Sequence, residues 1–430
     1  MVSGSVKNAQ INGEAKNMVA KFSIQNLIEV DDNPFDRQER ISGWSQQKLR
    51  DARVLVFGAG AIGNETLKNL ALLGIGKIYV VDFDTVSTSN LSRTVLFRKS
   101  DKGKQKAEVA AQRTKELALE ESAGVYWFHG DAVWELGTGI FRSVDIVLGC
   151  LDNIETRFAI NKQCYLANTP WIDAGIYELG GHVSVFTPPK LPCYQCNATE
   201  QQIKAARKRY SCDDFKRTVI DEGKMPTVQI TSSIISALQV QEAVKLLSGQ
   251  KVDSGKKIYF QGKVNDFDIL TLLEKQDCDG HPSYPEIISL PLSNSITLKE
   301  FLNFVSREDF SGEGATLDFR GDRTFVRSVS CKSCGTEISL NQPSFRIFDT
   351  QTICNTCKTQ GANLYDENRS EQVSSKLTVP EFNLAQTSED LLNMSLWDLG
   401  IPYRHVVAVK DQFGSYKYYE LSLDDPFTQV

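Results

Sequence analysis

A chain of 430 residues, 41% of them hydrophobic, can bury one large core and one or two smaller ones. Its formal net charge of -6 gives no electrostatic attraction for nucleic acid or an anionic membrane surface. Neither a transmembrane-length apolar run nor a signal-type leader is present in the sequence, so a soluble, cytoplasmic protein with no nucleic-acid or membrane partner is expected.

Residues 1–17 are polar and small, and residues 1–33 read as a tail or leader. The stretch NPFDRQERISGWSQQKLRDA follows, where Arg37 and Arg40 alternate with Phe35, Ile41 and Trp44 as on an amphipathic helix; a solvated basic face explains the arginines equally well. Val54 to Phe57 is a short strand-like run. Gly58, Gly60 and Gly63 then stand at G-x-G-x-x-G spacing, and a helical pattern through Ile62, Leu67, Leu70 and Leu73 ends at Gly74 and Gly76. A second strand, Ile78 to Val81, stops on Asp82, where a nucleotide ribose would be met. Glycines let backbone approach phosphate, and the helix start beyond them offers unpaired N–H groups. A nicotinamide dehydrogenase shares this spacing. The next loop, DFDTVSTSNLSR, places Asp84, Ser89, Asn90 and Arg93 at the same sheet edge, a polar and cationic set better suited to a triphosphate.

The segment DKGKQKAEVAAQRTKELAL predicts a helix with Lys102, Lys104 and Lys106 near its start, explained by a bound anion or by solvation. Val144 to Leu148 predicts a third strand delivering Asp152 and Asn153 to that edge, and an aspartate there can hold Mg²⁺. A long helix is expected from Met225 to Leu247, ending at Gly249, and KIYF and FDIL then complete the sheet.

Most of the ten cysteines stand in short metal-ligand spacings, which suits a reducing compartment better than disulfides. Cys193 and Cys196 form CYQC. Cys331, Cys334, Cys354 and Cys357 form two C-x2-C pairs nineteen residues apart, the spacing of a zinc ribbon or related knuckle with a structural role. Cys150 and Cys164 lie in apolar patterns and read as core. After a boundary near Pro282 to Pro285, residues 283–430 predict a small zinc-containing α+β domain: an amphipathic helix at ITLKEFLNFV, then a strand pair from WDLGIPYRHVVAV and YKYYELSL.

The motifs GAGAIG, DFDTVSTSNLSR, GKQKAE, LDNIETR and CYQC, in this order, resemble the adenylating domain shared by the ThiF and MoeB sulfur-carrier adenylyltransferases and the ubiquitin-activating enzymes. The resemblance implies a Rossmann-like α/β domain over residues 34–282 with a mixed, mostly parallel sheet. It implies that Gly58, Gly60, Ala61 and Gly63 cradle phosphate and that Asp82, with Asp84 in the loop beyond it, serves the ribose side. Ser89, Asn90, Arg93 and Lys106 would contact the triphosphate, and Asp152 would hold Mg²⁺ with Asn153 beside it. Arg37 would act as an arginine finger across a homodimer. Two departures stand out: Ala61 replaces a family glycine and Thr94 a family glutamine.

The same resemblance implies a Zn²⁺ held by Cys193, Cys196, Cys278 and His281, with the alternative that His281 is a surface residue and another ligand serves. Cys212 is the candidate nucleophile for a thioester, or else an inert thiol. The expected function is an enzyme that uses ATP and Mg²⁺ to adenylate the C-terminal carboxylate of a ubiquitin-like protein, forms a thioester and passes it to a conjugating enzyme. The 283–430 domain would offer the docking surface, and a bacterial conjugation pathway of antiviral-defence type is the expected setting. A sulfur-carrier adenylyltransferase without an enzyme thioester is the alternative. A non-enzymatic adaptor is disfavoured by the joint presence of Arg37, Asp82, Arg93, Lys106 and Asp152.

Overall fold

The structure is a computed structural model that describes residues 33–203, 226–309, 314–319, 323–331, 334–347, 349–352, 354, 356 and 373–430. The expectations for Cys212 and Cys357 fall outside the described residues.

The single leading helix expected from NPFDRQERISGWSQQKLRDA is instead two, α1 at Asp36–Glu39 and α2 at Gln46–Asp51. Gly43, at φ +79°, turns the chain between them, and the Ser45 side chain accepts from Lys48 N to start α2. Then follow β1 Arg53–Phe57, α3 Ala61–Leu72, β2 Lys77–Val81, α4 Lys106–Leu117, β3 Gly124–Phe128, α5 Thr138–Arg142, β4 Ile146–Gly149, α6 Ile154–Ala167, β5 Trp171–Tyr177 and β6 Gly180–Phe186. The long helix α7, Gln229–Ser248, ends at Gly249 in the left-handed region, and β7 Lys256–Gln261 and β8 Asp266–Thr271 follow.

These strands form one sheet in the order β3-β2-β1-β4-β5-β6-β7-β8, with the last short strand, Thr428–Gln429, added antiparallel outside β3. From β3 to β5 neighbours run parallel; β5 to β8 form an antiparallel meander. β1 alternates its side chains between two cores. Val54 and Val56 pack against α3, α4 and α7, with Leu67, Leu70, Val109 and Val240. Leu55 and Phe57 pack against α5 and α6, with Phe141, Ile160 and Cys164. Burial on both faces is what a parallel central strand requires. Strand β3 was not foreseen, because GVYWF lacks an aliphatic run and its aromatic end is only half-buried. Asp152 therefore follows the fourth strand in the chain, not the third.

A second sheet holds β9 Ile288–Leu290, β10 Thr316–Asp318, β14 Glu381–Asn383, β15 Val406–Lys410 and β16 Tyr416–Leu421, in the order β14-β10-β15-β16-β9. Its core is Leu317, Val407, Val409 and Tyr419 against Phe301, Leu302 and Val305 of α8, Leu298–Asp309. The expected strand over Trp397 begins only at Val406, since the chain turns at Arg404 with φ +51°. A third, three-stranded sheet joins β11 Phe325–Cys331 to β12 Glu337–Pro343 and β13 Val373–Val379. Buried Glu420 of β16 pairs with Arg142 of α5 and, at 2.7 Å, with Arg404, tying the second sheet to the first. No helix among the described residues is long and apolar enough to cross a membrane.

Candidate functional site

Strand order reverses beside β1: the chain reaches β2 and β3 on one side and β4 and β5 on the other. Loops leaving β1 and β4 must part there, and in an open α/β sheet that crevice is where ligands bind. Gly58 turns the chain out of β1 at φ +91°, and a Cβ on it would stand 2.4 Å from the Cys150 carbonyl oxygen at the end of β4. A Cβ on Gly63 would meet the Gly58 oxygen at 1.9 Å, so both glycines are required by close packing of turn, helix and strand. Gly60 differs, since a Cβ on it would have no heavy atom within 4 Å. Ala61 opens α3, whose first N–H groups have no helical acceptor and carry the positive end of the helix dipole.

Asp82 holds the glycine turn to the next loop. Its Oδ2 accepts from Ala59 N and its Oδ1 from Asp84 N, both at 2.7 Å. Lys106 starts α4, donates from Nζ to Asp84 Oδ2 at 2.7 Å and is 8% exposed. Lys102 and Lys104 precede the helix, so its first turn carries one lysine of the three expected. Burial pushes the Asp82 carboxyl upward while Lys106 pulls it back. Burial likewise works against the Lys106 ammonium, but Asp82, Asp84 and Asp152 outweigh it and hold the charge above the usual lysine range. A cation kept charged among three carboxylates is suited to an anionic ligand that brings its own metal.

Ser89, Asn90 and Arg93 share the loop after β2. Asn90 is buried and its Oδ1 accepts from Ser87 N at 2.9 Å, so this side chain shapes the loop; Arg93 donates to Ser89 O at 3.1 Å. Thr94, the departure from the family pattern, donates to Asn90 O at 2.9 Å and joins the same scaffold. The loop is anchored by Asn64, fully buried on α3, which donates to Ala59 O at 2.7 Å and accepts from Leu96 N at 3.0 Å. Sequence reasoning missed Asn64, although a polar residue on the apolar face of a helix pattern was a signal.

After β4, Asp152 is exposed and Asn153 caps α6, accepting from Thr156 N at 2.8 Å. Behind them lies a buried group that sequence reasoning also missed: Arg157, Asp173 and Gln239. Arg157 Nε donates to Asp173 Oδ1 at 2.7 Å, and the guanidinium holds that carboxyl below its usual range against the opposing effect of burial. Cys150 is 8% exposed and burial pushes its thiol up to about 12, which leaves it inert.

Arg37 is not brought to this crevice. Its neighbour Phe35 packs on Gly74, and Gln38 donates to Leu73 O at 3.3 Å, so Arg37 stands exposed at the far end of α3 from the glycine turn. A helix of 12 residues spans about 18 Å. An arginine there is out of reach of the turn within the same chain.

Two sets of thiols converge elsewhere. Donor atoms of Cys193, Cys196, Cys278 and His281 all lie within 4.8 Å of one another, with Sγ separations of 3.6 Å for Cys193–Cys196 and 3.8 Å for Cys193–Cys278. Tetrahedral Zn²⁺ with bonds of about 2.3 Å to sulfur needs about 3.8 Å between sulfurs, so this donor set fits zinc. Cys331, Cys334 and Cys354 form a second cluster, with 3.5 Å between the Cys334 and Cys354 sulfurs. Cys357, its expected fourth ligand, lies outside the described residues.

Several known proteins are similar to this chain over part of its length. The SUMO-activating enzyme subunit uba-2 of Caenorhabditis elegans is 40% identical over 152 residues, 35% of this chain and 26% of that protein. The sulfur carrier protein ThiS adenylyltransferase of Escherichia coli is 35% identical over 236 residues, 54% of this chain and 87% of that protein. The molybdopterin-synthase adenylyltransferase of Salmonella typhimurium is 30% identical over 267 residues, 61% of this chain and 98% of that protein. The chain thus spans about a quarter of the SUMO-activating subunit and nearly all of the molybdopterin-synthase enzyme. The ThiF family profile matches residues 35–282, more than half of the chain, and the chain belongs to the ThiF family.

Proposed function

We propose that this protein is an ATP-dependent adenylyltransferase that activates the C-terminal carboxylate of a ubiquitin-like protein, with residues 34–282 carrying the reaction and 283–430 docking a partner. The observation that carries the reading is the junction of Gly58, Asp82, Asp84 and Lys106 at the switch point of the sheet, with Asp152 on the facing loop. In adenylation a carboxylate oxygen attacks the α-phosphorus and pyrophosphate leaves. Two anions must approach, so positioning and cations dominate the barrier. Lys106 and Arg93 offset phosphate charge, the start of α3 receives phosphate oxygens, and Asp82 with Asp84 orients the ribose side. Asp152, with Asn153 beside it, would hold Mg²⁺, which supplies further neutralisation of phosphate. The exposed position of Asp152 and its influence on Lys106 support that role.

In this reading Arg37 completes the site of the partner subunit in a homodimer, an assignment supported by its place at the opposite end of α3. An arginine finger contributes about 10³ to 10⁵ in rate in phosphoryl-transfer enzymes. Arg37→Ala should abolish ATP–pyrophosphate exchange while ATP still binds; near-normal exchange would sink the assignment. The two thiol clusters would each hold a structural Zn²⁺.

Two versions of the function differ after the adenylate. In the leading one, Cys212 takes the ubiquitin-like protein as a thioester for transfer to a conjugating enzyme, of the kind suggested by the name of the SUMO-activating relative. In the other the adenylate passes to an external sulfur donor, a reading favoured by the 87% coverage of the ThiS adenylyltransferase. A non-reducing gel with Mg·ATP and a ubiquitin-like protein separates them. A thiol-sensitive adduct lost in Cys212→Ala supports the first; exchange activity with no adduct supports the second.

A further inference from the structure

Two side chains from different helices close on the turn that presents Asp152. From α6, Arg157 donates through Nη2 to the Leu151 carbonyl and to Ala174 O, the latter at 3.2 Å, while its Nε is locked to Asp173 at 2.7 Å. Asp173 is fully buried in β5, and its other oxygen faces His182 Nε2 at 3.4 Å. From α7, fully buried Gln239 donates to Gly149 O at 3.0 Å and to Ile172 O at 2.9 Å, and its Oε1 accepts from the Thr66 hydroxyl at 3.0 Å. The carbonyls on both sides of Cys150, at 149 and 151, therefore each take a side-chain donor, on Gly149 in addition to its strand pairing with Phe57 and Asp173. Burying an arginine–aspartate pair rarely adds net stability over apolar packing, so its presence asks for a role in geometry.

We propose that Arg157, locked by Asp173, is a positioning residue that fixes the Gly149–Asp152 turn so that the Asp152 carboxylate meets the metal of Mg·ATP. Arg157 acts through the Leu151 carbonyl and does not itself touch substrate. The inference rests on the reading of the crevice as a Mg·ATP site, and its test separates the two.

The variant is Arg157→Lys in the full chain. A lysine ammonium is a single point donor and cannot span Asp173 and Leu151 O as the planar guanidinium does. The first measurement needs no ligand: amide hydrogen exchange over residues 149–156, which include the Thr156 N–H bonded to Asn153. Exchange there should rise about tenfold while the rest of the sheet keeps its protection. The second is calorimetric titration with Mg·ATP and with ATP in chelator. The gain in affinity due to magnesium should fall about tenfold, the lower end for residues that support a metal ligand, with metal-free ATP binding unchanged. In an Asp152→Ala background, Arg157→Lys should then cost nothing further.

Unchanged exchange over 149–156 overturns the proposal. So does an equal loss of both nucleotide forms, or additive losses in the double variant. If Arg157→Lys does not fold, Arg157→Gln, which keeps a hydrogen-bond donor without the charge, takes its place with the same outcomes. Wild-type protein that binds neither nucleotide form overturns the proposed function and the metal half of this inference, and the exchange measurement alone then decides the clamp.

Discussion

Gly58 and Gly60 lie two residues apart in one turn, yet the structure assigns them opposite costs. Alanine at Gly58 would have to hold φ near +91° and push its methyl away from the Cys150 carbonyl, 2.4 Å distant where an ordinary contact is about 3.4 Å. Left-handed backbone costs a non-glycine residue about 1–2 kcal/mol. Moving the ends of β1 and β4 apart by roughly 1 Å is an overpacking strain of about 1–3 kcal/mol. Gly58→Ala should therefore destabilise the protein by about 2–5 kcal/mol. Gly60 has ordinary backbone, φ -77°, and open space at its Cβ, and it caps α3 without a side-chain bond. Gly60→Ala should stay within about 1 kcal/mol of wild type, the usual span for a cap substitution. Its methyl would instead occupy space that phosphate needs against the backbone, so Mg·ATP affinity should drop about tenfold or more. Denaturant unfolding and calorimetric titration of both variants check the pair. A stable Gly58→Ala, or a Gly60→Ala that unfolds easily yet binds nucleotide normally once folded, would refute the reasoning.

Asp173 predicts a pH signature. Its carboxyl is held below the usual value of 3.8 in the folded protein, so its stabilisation is complete above that value and is lost as pH falls through the depressed one. Asp173→Asn should cost about 3–5 kcal/mol at pH 7, the scale for breaking a buried ion pair, and the gap from wild type should close below about pH 4. A pH-independent gap in unfolding curves would contradict this. The cysteine clusters predict that strong chelators release about two zinc ions per chain by atomic absorption, and that Cys193→Ser halves the content. Each structural site can contribute about 10–16 kcal/mol of apparent binding energy, so Cys193→Ser should also unfold at markedly lower temperature. Metal-free protein with unaltered melting would remove zinc from the account.

What the sequence determined by itself was the set of local signals whose physics is short-range. The glycine spacing of Gly58, Gly60 and Gly63, the strand runs ending at Phe57 and Val81, the helix stop at Gly249 and the cysteine pairs all needed only neighbouring residues to be read. Strand β3 escaped because its place is set by pairing with β2 and the chain's last strand, not by an aliphatic run of its own. The leading helix broke in two because Gly43 outweighed the apolar period around it. Only the tertiary structure brought together Asn64 with Leu96, Arg157 with Asp173 and Gln239 with Gly149. Gln239 reaches Gly149 across 90 residues of sequence. Such buried polar groups find their partners only when the sheet and its helices close, and their spacing in sequence carries no trace of the pairing. For Arg37 the residue type was legible early, but its remoteness from its own glycine turn was decided by how α1 docks on the end of α3.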